Sequence, residues 1–257
     1  MTETLILTMK WGTKYGPEYV NNLARGVRRH LPRTHRFACF TDDATGLEPG
    51  SEALPLPPFD LPAGHGDTRW RKLSLFSKDL FGLSGTALFL DLDLVVVGDL
   101  EVFFEAEGGV PMVRDDDLFR AKPLRKVNTE RDAFLHSVGN SSVFRYEIGA
   151  QAYILENYLA DPAAATAHYE ISQQFQTAQL AAEGHLAYWD QGLCVSFKNH
   201  CVPRGWRSFV ADPVLPENAR LVLFAGTLGI DDALARKSDK WYRRIGNVDW
   251  LEAAWRG

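Results

Sequence analysis

Ala87-Leu88-Phe89-Leu90-Asp91-Leu92-Asp93-Leu94-Val95-Val96-Val97-Gly98-Asp99-Leu100 is the stretch that decides how the chain is read. Four apolar residues run into Asp91 and four more follow Asp93. A run of this kind reads as a buried strand. Burying an unpaired carboxylate is costly, so two of them need a reason. Side chains two apart on a strand share one face, roughly 7 Å apart at the backbone. At a strand end, where the chain bends, both carboxylates can converge on one hard divalent cation such as Mg²⁺ or Mn²⁺. The alternative is a solvated strand end with two turn-forming aspartates.

The flanking sequence supplies a sheet around this strand. Thr4-Leu5-Ile6-Leu7-Thr8-Met9 reads as a first strand, and Lys10 to Gly16 as the loop after it. Pro17 suits a first helical turn. Val20, Leu23, Ala24, Val27 and Leu31 then recur at helical spacing until Pro32. Strand, loop and helix in this order begin an open α/β sheet, whose ligands sit beyond the carboxyl ends of the strands. Thr8, Met9 and Tyr15 therefore fall near a site, although Tyr15 also suits a helix-packing aromatic.

Arg36–Thr41 reads as a second strand, and the Pro-rich Ala53–Pro58 as an edge segment or loop. Gly64–Thr68 is polar and reads as flexible. Over residues 69–81, Trp70, Leu73, Phe76 or Ser77, and Leu80 line one helix face. Arg69, Arg71 and Lys72 crowd its first turn, against the helix dipole, which an anionic ligand would relieve. A solvated basic face is the other reading.

Further strands are expected over 109–114 and 220–224, with helices over 150–159, 163–182, 231–236 and 247–255. Gly139–Tyr146 reads as a small, polar loop feeding a strand. Asp115-Asp116-Asp117 reads as a solvated turn rather than a metal site. Asp190 opens a helix or strand, with an N-cap role as one reading.

Composition sets the outer bounds. The chain has 257 residues, 46% hydrophobic and 24% charged, with a net charge of -5. This fits a globular domain with a sizeable core and gives no nucleic-acid footprint. Cys39, Cys194 and Cys201 lack the spacing of a disulfide framework or a zinc site, so reduced thiols are expected. The first residues lack a secretory pattern, and no apolar run reaches the ~20 residues needed to span a bilayer. A cytoplasmic location is the simplest expectation, with peripheral membrane association left open. No repeat or linker divides residues 1–257, so one domain is expected.

The order of these features resembles the GT-A glycosyltransferases, most closely glycosyltransferase family 8. The resemblance implies a single-domain, Rossmann-like α/β fold with a mixed sheet flanked by helices. It also implies retaining sugar transfer from a nucleotide-diphosphate donor, often a UDP-sugar, with Mn²⁺ or Mg²⁺. The acceptor (saccharide, lipid or protein) and the oligomeric state stay open.

By this likeness, Thr8, Met9 and Tyr15 belong to the nucleotide-binding segment, and Lys72 faces the donor. Asp91 and Asp93 are similar to the family's metal-binding Asp-x-Asp. Asn140-Ser141-Ser142 resembles the loop beside the donor sugar, with Ser142 where the family has Gly. Asp190-Gln191 is similar to the pair beside the reacting sugar. The departure is Phe224-Ala225-Gly226, where the family has a metal-ligating His at the second position and a diphosphate-binding Lys beyond it. Lys237 and Lys240 are the nearest lysines that follow.

Two rival functions remain. One is a nucleotide-sugar-binding protein that lost turnover, motivated by Ala225. The other is a phosphatase of the haloacid dehalogenase type, whose Asp-x-Asp also follows an apolar strand. That motif normally lies near the N-terminus, whereas about ninety residues precede Asp91 here.

Overall fold

Strand β1 (Thr4–Lys10) is buried on both faces from Leu5 onward. Successive strand residues point to opposite faces, so its parity sorts the interior into two layers. Leu5, Leu7 and Met9 enter one hydrophobic cluster and Ile6 the other. Strand β4 (Thr86–Leu90) divides the same way, with Ala87 and Phe89 in the first layer and Leu88 and Leu90 in the second. The computed structural model describes residues 3–60, 68–118, 129–224, 226–238 and 240–257.

The remaining strands are β2 (Arg36–Thr41), β3 (Glu52–Pro55), β5 (Leu94–Val96), β6 (Val110–Arg114), β7 (Gly139–Glu147), β8 (Leu186–Tyr188), β9 (Cys194–Ser196) and β10 (Leu221–Leu223). Seven form the main sheet in the order β3-β2-β1-β4-β7-β6-β8. Strands β3, β2, β1 and β4 are parallel, β7 is antiparallel to both β4 and β6, and β8 is parallel to β6. The Pro-rich segment thus holds the edge strand β3, where a missing N–H is tolerated. A second sheet has the order β5-β10-β9.

The apolar run at 87–97 is therefore not one strand. Strand β4 belongs to the main sheet and β5 to the small one, and Asp91-Leu92-Asp93 is the junction. The helix Pro17–His30 covers this side. Pro17 starts it, and Arg28, Arg29 and His30 suit the negative end of its dipole. It lies so close to β5 that a Cβ on Gly26 would meet the Cβ of Val96 at 3.1 Å.

On the other face, the segment expected to be α-helical over 69–81 is a 3-10 helix, Thr68–Phe76. Trp70, Leu73 and Phe76 are three apart, which aligns them at three residues per turn, and all three are buried. Side chains bind carbonyls of the tightened turns. The Tyr146 hydroxyl donates to Leu75 O at 2.9 Å, and Ser74 Oγ donates to Arg71 O at 2.7 Å. The expected helix 163–182 divides into Pro162–His168 and Ser172–Ala182. Asp161 caps the former through the Ala164 N–H at 2.9 Å. Asp115-Asp116-Asp117 opens a single helical turn, Asp115–Leu118, instead of a loop. Residues 64–67, read above as part of a flexible segment, lie outside the described residues. No described helix is long and apolar enough to cross a membrane.

Phe144 on β7 ties the helical layer to the strand that carries the motif. It stacks on Phe89 at 5.1 Å and on Phe76 at 5.6 Å, with no exposed surface. Phe144→Ala is expected to lose about 3–5 kcal/mol of stability, measured by urea unfolding, while an exposed control such as Leu159→Ala stays within about 0.5 kcal/mol.

Candidate functional site

Strand parity aims Asp91 at the layer of Ala87 and Phe89, where the 3-10 helix lies. Lys72 Nζ reaches Asp91 Oδ2 at 2.6 Å and lies 3.4 Å from the Ser141 carbonyl. It also sits 5.4 Å from the centre of the Phe89 ring. The Lys72 and Asp91 side chains are only 13% and 20% exposed. At that burial, the charges are compensated by each other more than by water. The Asp91 N–H donates to Ser142 O at 2.9 Å, which fixes the motif to β7.

Asp93 belongs to the other side of the junction. Its carbonyl accepts from the Phe224 N–H at 2.9 Å, and its Oδ2 accepts from the Tyr15 hydroxyl at 3.1 Å. Burial foremost, and then the charge of Asp91, raise the Asp93 carboxyl above the usual carboxylate range. Lys72, the Tyr15 hydrogen bond and Lys14 pull the other way. Burial and Asp93 together push the Tyr15 phenol well above its ordinary value. Tyr15 also packs on Tyr19 at 4.8 Å between ring centres. Tyr15 is thus both a packing aromatic and a donor into the site. Lys14, 4.6 Å over its ring, is a cation that the sequence reading did not single out.

The other predicted residues take distinct positions. Leu7 pairs with Phe89, so Thr8 and Met9 come next to Leu90 and Asp91 at the carboxyl ends of β1 and β4. Thr8 is fully buried, and its hydroxyl has no hydrogen-bond partner. Met9 packs into the core layer. Asn140 and Ser141 lie inside β7 rather than in a loop, where a register shift at Met112/Val113 accommodates them. Asn140 Oδ1 accepts from the Ser142 N–H at 3.0 Å, and its Nδ2 donates to Asp115 at 3.1 Å. Its side chain therefore props the strand.

Asp190 and Gln191 are exposed in the turn before β9, not at a helix start, and neither bonds to Asp91 or Asp93. Ala225 lies outside the described residues. Lys237 and Lys240 are exposed. Lys198 lies closer to the C-terminal strand, since its Nζ is 2.7 Å from where a Cβ on Gly226 would stand. Nothing in the local sequence of Lys198 marks it, because β9 and β10 meet only in the folded sheet. Cys39, Cys194 and Cys201 are buried free thiols, and burial raises those of Cys39 and Cys194.

The arrangement holds two hard oxygen donors of like charge beside one ammonium. Among the described residues, no group of three or more His, Cys, Asp or Glu side chains is placed to hold a metal. Two carboxylates alone fit Mg²⁺-type binding, in which substrate phosphates and waters complete the shell.

The chain matches no known family profile and no curated protein sequence. Its structure is similar to that of an active-site mutant of LgtC, with TM-score 0.56 and 13% identity over 92% of this chain and 91% of LgtC. It is also similar to the galactosyltransferase LgtC in complex with donor and acceptor sugar analogs, with TM-score 0.54 and 12% identity over 88% of each chain. The apo bifunctional glycosyltransferase WbbM gives TM-score 0.59 at 12% identity, over 89% of this chain and 47% of WbbM. The mixed sheet flanked by helices is thus the GT-A fold of these glycosyltransferases, as the sequence resemblance implies.

Tyr15→Phe removes the hydroxyl that favours charged Asp93. A hydrogen bond to the charged form lowers a carboxyl pKa, so its loss must raise the Asp93 value further. Carboxyl-carbon NMR titration of the metal-free protein is expected to show the shift upward.

Proposed function

We propose that the chain transfers a sugar from a nucleotide-diphosphate donor, a UDP-sugar by resemblance, to an acceptor hydroxyl. The observation that carries this reading is the junction itself. Asp91 and Asp93 stand two residues apart where the two sheets meet, near enough for the charge of Asp91 to act on Asp93, with Lys72 beside one and Tyr15 beside the other. The GT-A fold supports it.

Breaking the bond between a sugar and a diphosphate develops negative charge on the leaving phosphate. Mn²⁺ or Mg²⁺ held by Asp91 and Asp93 would supply Lewis-acid stabilisation of that charge. Lys72 adds a fixed positive charge at the same place, in a partly buried setting where it counts for more than in water. Tyr15 keeps Asp93 oriented through its hydroxyl. Thr8 brings a buried hydroxyl with an open hydrogen-bonding position, and Met9 an apolar wall, to the nucleotide side. Ser142 O holds β7 against Asp91, Ser141 O faces Lys72 and Asn140 props the strand, which by resemblance puts Asn140 and Ser141 on the sugar side. Asp190 and Gln191, exposed in their turn, are placed by resemblance beside the reacting sugar, where the carboxylate would offset positive charge on the ring. Retention of configuration rests on that resemblance too.

A second reading draws on the C-terminal strand. Ala225 stands where the resemblance expects a metal-ligating His, and among the described residues nothing joins the two aspartates as a third ligand. This favours a donor-binding protein without turnover. Nucleotide binding that ignores Mn²⁺, with no sugar release under any acceptor, would select it.

Asp91→Asn combined with Asp93→Asn is expected to lower Mn²⁺-dependent UDP release from a UDP-sugar panel by about 10²-fold or more. Undiminished release by a folded double variant would sink the metal assignment.

A further inference from the structure

The segment Gly205–Phe209 is a 3-10 helix, and at three residues per turn its side chains form rows. Trp206 and Phe209 make one row, and Arg207 and Val210 continue another. Both rows point outward. Trp206 and Val210 are each 72% exposed, and Phe209 is 48% exposed. The third row turns in, where buried Ser208 donates to Gly205 O at 2.8 Å and accepts from the Arg244 N–H at 3.2 Å. Arg244 Nη1 donates to Phe209 O at 3.1 Å. These bonds fasten a second segment beside the first. It presents Trp241, 91% exposed, and half-exposed Tyr242.

The same face is strongly basic. Residues 204–210 and 241–244 carry Arg204, Arg207, Arg243 and Arg244 and no Asp or Glu, in a chain whose net charge is -5. Beneath the aromatics lies a cavity of about 240 Å³ lined by Lys198, Asn199, Arg204, Tyr242 and Arg243. Asp212, at the border, accepts from the Asn247 N–H at 2.7 Å and so is turned toward backbone.

Large apolar side chains this exposed mark an interaction surface. Here Trp206, Phe209, Trp241 and Tyr242 are gathered on two segments bonded side by side, with Trp241 edge-on to Tyr242 at 5.6 Å, and they stand out from the surface instead of lining a groove. A folded partner would need matching holes, whereas a bilayer interface accepts protruding Trp and Phe without them, and its anionic headgroups complement Arg and Lys. We infer that the face built from Gly205–Val210 and Trp241–Arg244 docks on an anionic lipid bilayer. Trp206, Phe209 and Trp241 would enter the interfacial layer, and a headgroup phosphate would enter the cavity at Arg204 and Arg243.

The test is flotation of the full chain with phosphatidylcholine vesicles, with and without phosphatidylglycerol, at low and high salt. It needs neither donor nor acceptor, so it fails or succeeds independently of the sugar-transfer reading. The protein is expected to float with the anionic vesicles and to be released by salt. Trp206→Ser with Trp241→Ser, and separately Arg204→Glu with Arg207→Glu, are each expected to weaken partitioning about tenfold or more. All four positions are exposed, and circular dichroism confirms that the variants fold. Wild-type protein that does not float, or variants that float equally well, would overturn the proposal. So would a lipid-free dimer dispersed by the tryptophan pair, which would assign the face to a second copy.

Discussion

The ammonium of Lys72 against the carboxylate of Asp91, at 2.6 Å, is the contact on which the site depends. It crosses from the helical layer to the end of the central strand. Without it, Asp91 would be a mostly desolvated charge at the edge of an apolar core, which costs far more than an exposed pair returns. With it, the chain can keep a second carboxylate two residues away. Asp93 is then the crowded acid: burial and the charge of Asp91 raise its carboxyl, and Lys72, Tyr15 and Lys14 offset this only in part. One compensated and one crowded acid is the arrangement that the proposed cation would relieve.

The path of the backbone was legible in the sequence wherever one face met one environment. The apolar run over Thr4–Met9 and the helical spacing from Val20 to Leu31 both gave correct elements, the first as a strand buried on both faces and the second as a helix with one buried stripe. The 3-10 helix was misread because Trp70, Leu73 and Phe76 fit both a three-residue and a 3.6-residue period. The break at Asp91-Leu92-Asp93 was hidden for a different reason. Apolar residues on both sides make one long strand and two short strands in different sheets look alike. The acids were recognised, but their separate anchors to β7 and β10 depend on pairings far apart in sequence. The same holds for Lys198 and Gly226, which no local pattern connects.

Fold and function part company at the C-terminal end. The GT-A architecture extends over about nine-tenths of the chain in its likeness to LgtC, yet the segment after β10 departs from the expected motif. Identity of 13% leaves a fold free to keep its layers while exchanging the groups that act at the edge. The groups tied into the core are two aspartates, a lysine and a tyrosine, each held by a specific partner. Of the two departures from the resemblance, Ser142 lies within β7 and Ala225 lies outside the described residues.

The two aspartates are pinned to different bodies. Asp91 is fastened to the main sheet through Ser142, and Asp93 to the small sheet through Phe224. Their carboxylates therefore act as a gauge of how the two sheets are seated against each other. An ion bridging them would work as a rivet across that seam, stiffening it in both directions. Conversely, a strain applied to the small sheet would be felt first as a change in the grip on that ion.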